Sequence, residues 1–406
     1  MIAKLPEASY NQLSMSMLTL VSNPGSASRK YALFNGSTEL ADIHFEYFNG
    51  RIICTYTAGD KVELPDTNMT DIRQAVSYIM PLFRQYGAFK QDDSINRIGL
   101  RIVAPGGYFL KNHLANEETF HRLRKLNSQS PIHIGATLTE LEQLASQFSG
   151  TPIICVSDSA FHSTKPDFAW NYGLPLEDSD RLDIKRFGFH GLSVESVVEQ
   201  LRAADKLPSK LIVAHLGSGT NITAIQDGRS VDHTMGYSSF EGAIMATRSG
   251  SIDLAATQAI KSTFNYSDAE LNSYLNLHSG LLGLGGNSDI RELLRRESNG
   301  DHRSSLALST YTYSVRKAIG QMAATINGVD AIVFTGTVGE RSSIIRSRVI
   351  EHLGYLGVEL DSDRNNVHVT AVHPEVISPE SASKQVYVAP AKEDTHLATY
   401  ATNYNV

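Results

Sequence analysis

Short apolar runs recur along the chain and alternate with segments of helical spacing. The runs are LTLVS, RIICTYT, RIGLRIV, PIICVS, LIVAHL, AIVFTG and VYVAP, and their length and β-branched content predict strands. In VESVVEQLRAA, the apolar positions from Val194 to Leu201 fall at i, i+3, i+4 and i+7, which predicts an amphipathic helix. Strands that alternate with helices predict an α/β fold.

Two distant segments repeat one pattern. LVSNPGSASRKYALFNG (20–36) aligns without a gap with IVAHLGSGTNITAIQDG (212–228), an offset of 192 residues. Each contains a strand pattern, a Gly-Ser turn, a second strand pattern, and then Asn-Gly or Asp-Gly, a dipeptide typical of hairpin turns. This offset is too long for a solenoid repeat, so it indicates duplication of a whole domain. Chance similarity of two hairpins is the competing interpretation.

Composition narrows the class of protein. The 406 residues are 41% hydrophobic, which suits one or two globular domains. A net charge of −7 without a basic stripe argues against nucleic acid as a partner. No apolar run reaches the length of a membrane span, and the first 16 residues lack the apolar centre of a signal peptide, so we expect a cytoplasmic protein with no membrane partner. Cys54 and Cys155 lie in apolar runs and are expected to be reduced and buried.

Two arginines are candidates for binding anions. Arg101 ends a predicted strand before a Pro-Gly-Gly turn and could bind a carboxylate or phosphate with two hydrogen bonds. Arg248 lies in the small-residue loop MATRSGSID, with Asp253 nearby. Two arginines from separate segments could clamp a transferring phosphoryl group. The alternative for Arg101 is a solvated surface residue.

An aspartate and two histidines are further candidates. Asp158 follows the strand PIICVS, and ligands gather at the carboxyl ends of such strands, although Asp158 could instead cap the next turn. His190, in RFGFHGLS, directly precedes the predicted amphipathic helix, where a helix start favours anions. His133, in PIHIG, has a structural role as its alternative.

Four small-residue segments are suited to close approach of phosphates or a flat ligand. They are NPGSASRK (23–30, with Asn23, Ser26 and Ser28), HLGSG (215–219), GLLGLGG (280–286) and FTGTVGE (334–340), a strand expected to run into a glycine-rich turn. Backbone N–H groups of such turns can hold phosphates. Ordinary turns or flexible loops are the alternative.

As a set, these motifs resemble the acetate kinase family. GFHG (188–191), HLGSG, ATRSG (246–250), SGLLGLGG (279–286), FTG-x-x-GE and YLGVELD (355–361) occur in the order of that family, from about residue 17 to about residue 394. The resemblance implies an α/β fold of duplicated ribonuclease-H-like (actin-like ATPase) domains with a central cleft. It implies an N-terminal domain over 1–160, completed by 395–406, and a C-terminal domain over 161–394 that carries the nucleotide site. It also implies a homodimer.

The resemblance also implies roles for individual residues. The catalytic set is Asp158, His190, Arg248 and Arg101. The substrate-binding set is Arg101, Val103, Ile132, His133 and Phe189. The nucleotide- and phosphate-binding set is Ser26, Ser28, Lys30, His215, Gly217, Ser218, Gly219, Gly283, Gly336 and Gly339. Asn23 and Glu393 would hold Mg²⁺ (or Mn²⁺), with ATP and ADP as substrates.

The reaction implied is reversible phosphoryl transfer from ATP to acetate, giving acetyl phosphate and ADP. Departures from the family pattern occur at Ala104-Pro105, where HGG is usual, and at Ser218, Ser239, Thr337 and Arg341. They leave open a propionate- or butyrate-type carboxylate kinase, a pyrophosphate-dependent enzyme, and a non-catalytic nucleotide-binding protein of the same fold.

Overall fold

The computed structural model describes residues 17–25, 28–48, 50–129, 131–366 and 373–405. The strands are β1 (Leu18–Pro24), β2 (Ser28–Asn35), β3 (Thr38–Phe48), β4 (Arg51–Ala58), β5 (Lys61–Glu63), β6 (Ile95–Ile102), β7 (His113–Leu114), β8 (Ile153–Ser157), β9 (Lys210–Leu216), β10 (Thr220–Gln226), β11 (Arg229–His233), β12 (Ala331–Thr335), β13 (Glu375–Val376) and β14 (Gln385–Val388). Each of the seven apolar runs noted in the sequence overlaps one of these strands.

The helices cover much of the remaining chain. They are α1 (Ala75–Gln85), α2 (Glu117–Gln129), α3 (Pro131–Gln147), α4 (Leu176–Arg181), α5 (Gly191–Ala203), α6 (Leu254–Phe264), α7 (Asp268–Leu277), α8 (Gly280–Gly285), α9 (Ile290–Ser298), α10 (His302–Thr325), α11 (Gly336–Arg341), α12 (Ser343–Ile350), α13 (Ser362–Asn365) and α14 (Glu393–Asn403). Helix α5 is the amphipathic helix predicted from the sequence, and its apolar positions from Val194 to Leu201 are fully buried.

The chain divides into two compact units. The first comprises Met1–Leu100, Thr139–Ile154 and Leu397–Val406, and the second comprises Arg101–Leu138 and Cys155–His396. The sequence-based domains, 1–160 completed by 395–406 and 161–394, stay a prediction.

The first unit contains most of an eight-stranded sheet. Its order is β5-β4-β3-β2-β1-β6-β8-β7, and the last strand belongs to the second unit. Strand β1 pairs antiparallel with β2 and parallel with β6. The C-terminal segment is held to this unit, because Arg97 Nη1 donates to Ala401 O at 3.1 Å and the Thr19 and Thr402 hydroxyls lie 2.9 Å apart.

The second unit contains a six-stranded sheet in the order β11-β10-β9-β12-β14-β13. Strand β9 pairs antiparallel with β10 and parallel with β12, as β1 does with β2 and β6 in the first unit. Apolar side chains of the sheet form one buried cluster with α10 and another with α5, so helices cover both faces. Coverage on both faces explains why every residue of β12 is apolar or buried. The predicted fold class and the repeated hairpin are confirmed.

Two local expectations need correction. The first hairpin turns at Gly36-Ser37, because Asn35 still pairs with Thr38 in the ladder, and Gly36 takes the positive φ of 60°. At the second hairpin, Asp227 and Gly228 both have positive φ, as expected. The glycine-rich segments after Ser279 and Thr335 are the short helices α8 and α11 and not loops. Glycine lowers helix propensity by only about 1 kcal/mol, which tertiary packing offsets here.

Cys54 and Cys155 are free and buried, in strands β4 and β8, as predicted. Burial raises the pKa of each thiol to about 12. Among the described residues, no helix has both the length and the apolar character that a bilayer span requires.

Candidate functional site

Arg101 and Asp158 form a two-pronged ion pair in the second unit. Asp158 directly follows β8, and its N–H donates to Ile102 O at the end of β6, at 2.9 Å, which brings the two strand ends together. Arg101 Nε donates to Asp158 Oδ1 at 3.1 Å and Nη2 donates to Oδ2 at 2.9 Å. The Asp158 side chain is fully buried and that of Arg101 is 14% exposed. Burial raises the pKa of the Asp158 carboxyl, but the Arg101 charge together with the hydrogen bonds from Arg101 and the His190 N–H outweighs burial, so the pKa is lowered.

The Asp158 carboxylate also fixes the start of α5. The His190 N–H donates to Asp158 Oδ2 at 2.7 Å, and the Gly191 N–H donates to Asp158 O at 2.8 Å. A Cβ at position 191 would lie 2.4 Å from that carbonyl oxygen, so only glycine fits there. The side chain of Asp158 therefore joins Arg101 to the His190 backbone. Asp158 thus does more than cap the turn that follows it, which was the alternative role considered from the sequence.

His190 and His215 form a buried pair of imidazoles. Their ring centroids are 4.0 Å apart and their planes differ by 30°. The Ser193 hydroxyl lies 2.7 Å from His215 Nδ1. Burial lowers the pKa of both rings, and the charges of Arg101 and Arg248 lower that of His190 further. Both histidines are therefore neutral at physiological pH.

Arg248 is a partly buried cation, and within the described part of the chain its side chain contacts a carbonyl and a thioether. Its Nη1 donates to Ser239 O at 2.9 Å and lies 3.4 Å from Met245 Sδ. Burial lowers its pKa, yet an arginine stays protonated because its ordinary pKa is above 12. A Cβ on Gly219 would lie 3.5 Å from Nη1 and 2.9 Å from His190 Cε1. Gly219 therefore gives room for these two side chains to approach one another.

An apolar cluster adjoins the histidine pair. Phe189, Met235 and Met245 are buried together, and Val103 packs against them. Val103 and Phe189 were predicted to contact the acyl group, so the structure brings these two together. Ile132 and His133 lie in the first turn of α3, but their side chains are outside the described part of the structure, as is the whole of Ser26.

Three glycines of the predicted nucleotide set pack around the end of β9. A Cβ would lie 3.4 Å from His215 Nε2 at Gly217, and 3.1 Å from the same atom at Gly336. Gly339 packs on the β9 backbone, with its Cβ position 3.6 Å from Ala214 O. Ser218 is exposed. Gly283 is exposed in α8, away from these contacts, and Arg303 Nη2 donates to its carbonyl at 2.9 Å.

The phosphate residues predicted in the first unit lie on its β1–β2 hairpin. Asn23 pairs with Lys30 across the ladder, and Ser28 begins β2. Arg29, between Ser28 and Lys30 in the sequence, is buried. Its guanidinium Nη1 donates to the carbonyls of Gly25 and Ser28. The arginine therefore closes the hairpin from inside the unit.

Glu393 is the predicted metal ligand in the second unit. Its Oε2 lies 3.6 Å from Arg101 Nη1, and its side chain is 16% exposed. The described residues contain no cluster of three or more His, Cys, Asp or Glu side chains suited to a metal ion. Mg²⁺ at phosphoryl-transfer sites is usually held by one or two carboxylates and substrate phosphates. One partly exposed carboxylate beside the site fits that mode of binding.

Several residues of the site escaped the sequence analysis. Ser193 lies within the quoted motif RFGFHGLS, and its contact with His215 could have been suspected from its position one helical turn after His190. His162 closes the motif CVSDSAFH, and its Nε2 lies 3.0 Å from Phe189 O. Met235 and Met245 gave no signal, because buried methionines are common in any core.

The fold and this cluster together define an α/β protein with two sheet-containing units, in which Arg101, Asp158 and His190 are connected by hydrogen bonds at the ends of β6 and β8. A model of the acetokinase family matches residues 18–399. The chain belongs to the acetokinase family.

Similar proteins include acetate kinases of Desulfitobacterium hafniense, 34% identical over 94% of this chain and 98% of the relative, and of Lachnoclostridium phytofermentans, 36% identical over 93% and 97%. The solved structure of Porphyromonas gingivalis acetate kinase is similar with a TM-score of 0.83 at 29% identity, covering 95% of this chain and 99% of its own. A propionate kinase from Francisella tularensis has a TM-score of 0.85 at 29% identity, covering 96% and 100%.

Proposed function

We propose that this protein is a carboxylate kinase that transfers a phosphoryl group reversibly between ATP and acetate, giving acetyl phosphate and ADP. The observation that carries the proposal is the connected set Arg101, Asp158 and His190, with Arg248 beside it, in a member of the acetokinase family. Phosphoryl transfer needs aligned reactants and positive groups around the moving oxygens rather than covalent chemistry from the protein.

Each residue has a distinct task in this proposal. Asp158 holds the Nε and Nη2 edge of Arg101, so the guanidinium keeps one orientation in which to bind the acid. Arg248 supplies positive charge to the transferring phosphoryl group. Neutral His190 donates a hydrogen bond to an oxygen of that group without taking part in proton exchange, because burial disfavours its protonated form. Val103 and Phe189 accept the methyl group.

Mg²⁺ (or Mn²⁺), when bound, neutralises charge on the phosphate oxygens. Glu393 would hold it, and Asn23 is a second candidate ligand. Ser26, Ser28 and Lys30 would hold phosphates from the first hairpin, and His215, Gly217, Ser218, Gly219, Gly283, Gly336 and Gly339 from the second unit. Ile132 and His133 complete the proposed acid site.

A panel of acids and donors tests the proposal. Acyl phosphate would be trapped with hydroxylamine after incubation with ATP, GTP or pyrophosphate and with acetate, propionate or butyrate. Product with acetate and ATP is expected, and no product with any pair would sink the carboxylate-kinase proposal. Nucleotide binding without product would instead favour the non-catalytic alternative.

Longer acids and pyrophosphate remain alternatives because of specific positions. Ser239 binds Arg248 through its backbone carbonyl. The side chain at this position is not needed for that bond, so a different residue there can accommodate a different acid. Thr337 and Arg341 are exposed on α11, beside the proposed nucleotide site. A preference for butyrate or pyrophosphate in the same panel would establish the alternative.

Arg248→Ala tests the phosphoryl site directly. The substitution should lower kcat by about 10²- to 10³-fold, the usual cost of losing one preorganised charge-stabilising group, while the thermal midpoint changes little. An active Arg248→Ala variant would refute the assigned role.

We also propose that the protein acts in the cytoplasm as a homodimer. Helix α6 buries none of its residues within the chain, and Leu254 and Phe264 on it are 71% and 55% exposed. Exposed apolar side chains of this size on one helix are suited to contact with a second copy. Light scattering after gel filtration should give twice the chain mass, and Leu254→Glu should reduce it to one chain.

A further inference from the structure

One carboxylate oxygen joins two segments next to the candidate site. Glu340, in α11, accepts hydrogen bonds at the same Oε1 atom from the N–H of Gly336, at 3.0 Å, and from the N–H of Ala391, at 3.1 Å. Gly336 begins α11, and Ala391 belongs to the segment before α14. No role was assigned to Glu340 from the sequence.

The first of these segments borders His215. Gly336 is buried at the end of β12, and a Cβ there would lie 2.8 Å from Leu216 O and 3.1 Å from His215 Nε2. Thr335, the residue before the helix, makes no side-chain cap. Glu340 therefore satisfies the first N–H of α11, which a helix cannot satisfy by itself.

The second segment leads into Glu393, two residues after Ala391. It is held at neighbouring positions by α5, since Gln200 Nε2 donates to Pro390 O at 2.9 Å and the Lys392 N–H donates to Ser196 Oγ at 3.1 Å. Glu340 binds the N–H of Ala391, which lies between Pro390 and Lys392. The direction in which Glu393 leaves this segment is thus set by three fixed backbone positions.

Arg346, a buried residue of α12, anchors the helix that carries Glu340. The buried guanidinium of Arg346 donates from Nη1 to the carbonyls of Gly339, at 2.9 Å, and Glu340, at 2.7 Å. Its Nε donates to Asn365 Oδ1 at 2.8 Å. This anchoring leaves the Glu340 side chain little freedom to follow a displaced partner, so it acts as a fixed link.

We propose that Glu340 is a positioning residue that sets the Gly336 backbone and the Glu393 segment relative to each other. The inference rests on the proposed function, because it assigns Gly336 to the nucleotide side and Glu393 to the metal. Glu340 itself touches neither, and its effect is carried by the two N–H groups that it binds. Loss of the link should therefore weaken the metal–nucleotide side and spare the acid side.

Glu340→Ala, Glu340→Gln and the exposed control Glu351→Ala separate positioning from packing. Glu340→Ala should raise the KM for MgATP about tenfold, the effect of losing roughly one net hydrogen bond to a charged group, with the KM for the acid within about twofold of wild type. Glu340→Gln keeps an oxygen acceptor at the same place and should restore most of the MgATP affinity. Glu351→Ala should match wild type.

Other outcomes would overturn the inference. Glu340→Ala kinetics close to wild type would show that the link is dispensable, and equal increases in both KM values would indicate a general packing effect. A Glu340→Gln variant as impaired as Glu340→Ala would show that the charge matters and not the acceptor geometry.

Binding measurements keep this test separate from the proposed function. Titration calorimetry with MgADP, and electron paramagnetic resonance titration with Mn²⁺, report the site without turnover. If the wild type forms no acyl phosphate but Glu340→Ala still weakens MgADP and Mn²⁺ binding and Glu340→Gln restores it, the positioning role stands and the reaction is wrong. Unchanged binding in an active enzyme refutes the positioning role alone.

Discussion

The imidazoles of His190 and His215 stack with their centroids 4.0 Å apart, although two charged rings at this distance would repel each other. Burial keeps both neutral. A hydrogen-bond donor that remains uncharged does not add to the positive charge of Arg101 and Arg248, both of which act on the pKa of His190. The geometry of this pair depends on the glycine that packs against it.

Gly219→Ala should disturb that geometry with a single methyl group. Its Cβ would lie 2.9 Å from His190 Cε1, closer than carbon atoms tolerate, so the ring must shift. We expect kcat to fall by at least tenfold, because displacement of about 1 Å in a catalytic group has effects of that order or larger. Steady-state kinetics will measure it. Gly173→Ala is the matched control, since nothing lies within 4 Å of a Cβ there, and similar activity in both variants would contradict the prediction.

Arg101→Lys should separate charge from orientation. Lysine keeps the positive charge but cannot make the two hydrogen bonds to Asp158, so the acid should lose its fixed partner. We expect kcat/KM for the acid to fall by about 10²-fold or more, with a smaller change in the KM for the nucleotide. The same substitution at Arg181, an exposed residue paired with Asp178, is the control. Equal kinetics for wild type and Arg101→Lys would show that charge alone suffices.

The buried histidines should make the protein less stable in mild acid. Burial lowers the pKa of His162 to about 4, below its ordinary value of 6.5. The unfolded chain therefore binds a proton that the folded chain does not, and stability falls as the pH drops from about 6.5 to about 4. Each such group contributes up to about 1.4 kcal/mol per pH unit.

His162→Gln tests this dependence. Its free energy of unfolding in urea should vary less steeply between pH 5 and pH 7 than that of the wild type. The same substitution at the exposed His352 is the matched control. Parallel pH profiles for His162→Gln and wild type would show that His162 does not contribute.

Arg29 and Glu140 form a buried ion pair in the first unit, with side chains 4% and 2% exposed and 3.2 Å between Nε and Oε2. Ser22 Oγ also donates to Glu140 Oε1 at 2.8 Å. Arg29→Leu should destabilise the protein by about 3–5 kcal/mol, because Glu140 loses its buried partner. The double variant Arg29→Leu/Glu140→Leu should regain much of that loss in chemical denaturation. A double variant that is no more stable than Arg29→Leu would argue against pairing as the cause.

Local sequence patterns predicted the strands and the helix α5 well, because buried strands need continuous apolar runs and a half-buried helix needs a 3.6-residue period. The position of Asp158 after β8 was also readable, since ligands gather at the carboxyl ends of strands in open α/β sheets. The contact of Asp158 with the His190 backbone was not readable, because 32 positions separate the two residues and only tertiary folding brings them together.

Glycine-rich segments were the least readable. Propensity predicts turns for GLLGLGG and GTVGER, yet both segments form short helices, α8 and α11. A Cβ at Gly285 would lie 2.7 Å from Leu293 Cδ2, so tertiary packing selects glycine there, whereas a Cβ at Gly339 would make only ordinary contacts. The role of Glu340 likewise depends on two N–H groups from segments 55 positions apart, Gly336 and Ala391. Pattern analysis of one segment contains no information on such a link.

The two buried cysteines place one thiol in each compact unit, Cys54 in the first and Cys155 in the second. Since the pKa of each is raised to about 12, neither thiol reacts appreciably in the folded state. A thiol reagent in native buffer should therefore label each cysteine only when the unit that contains it opens. Mass spectrometry of the peptides would give the opening rate of each unit separately, without any substitution in the chain. A ligand that closes only one unit would be recognised by slower labelling at one cysteine and an unchanged rate at the other.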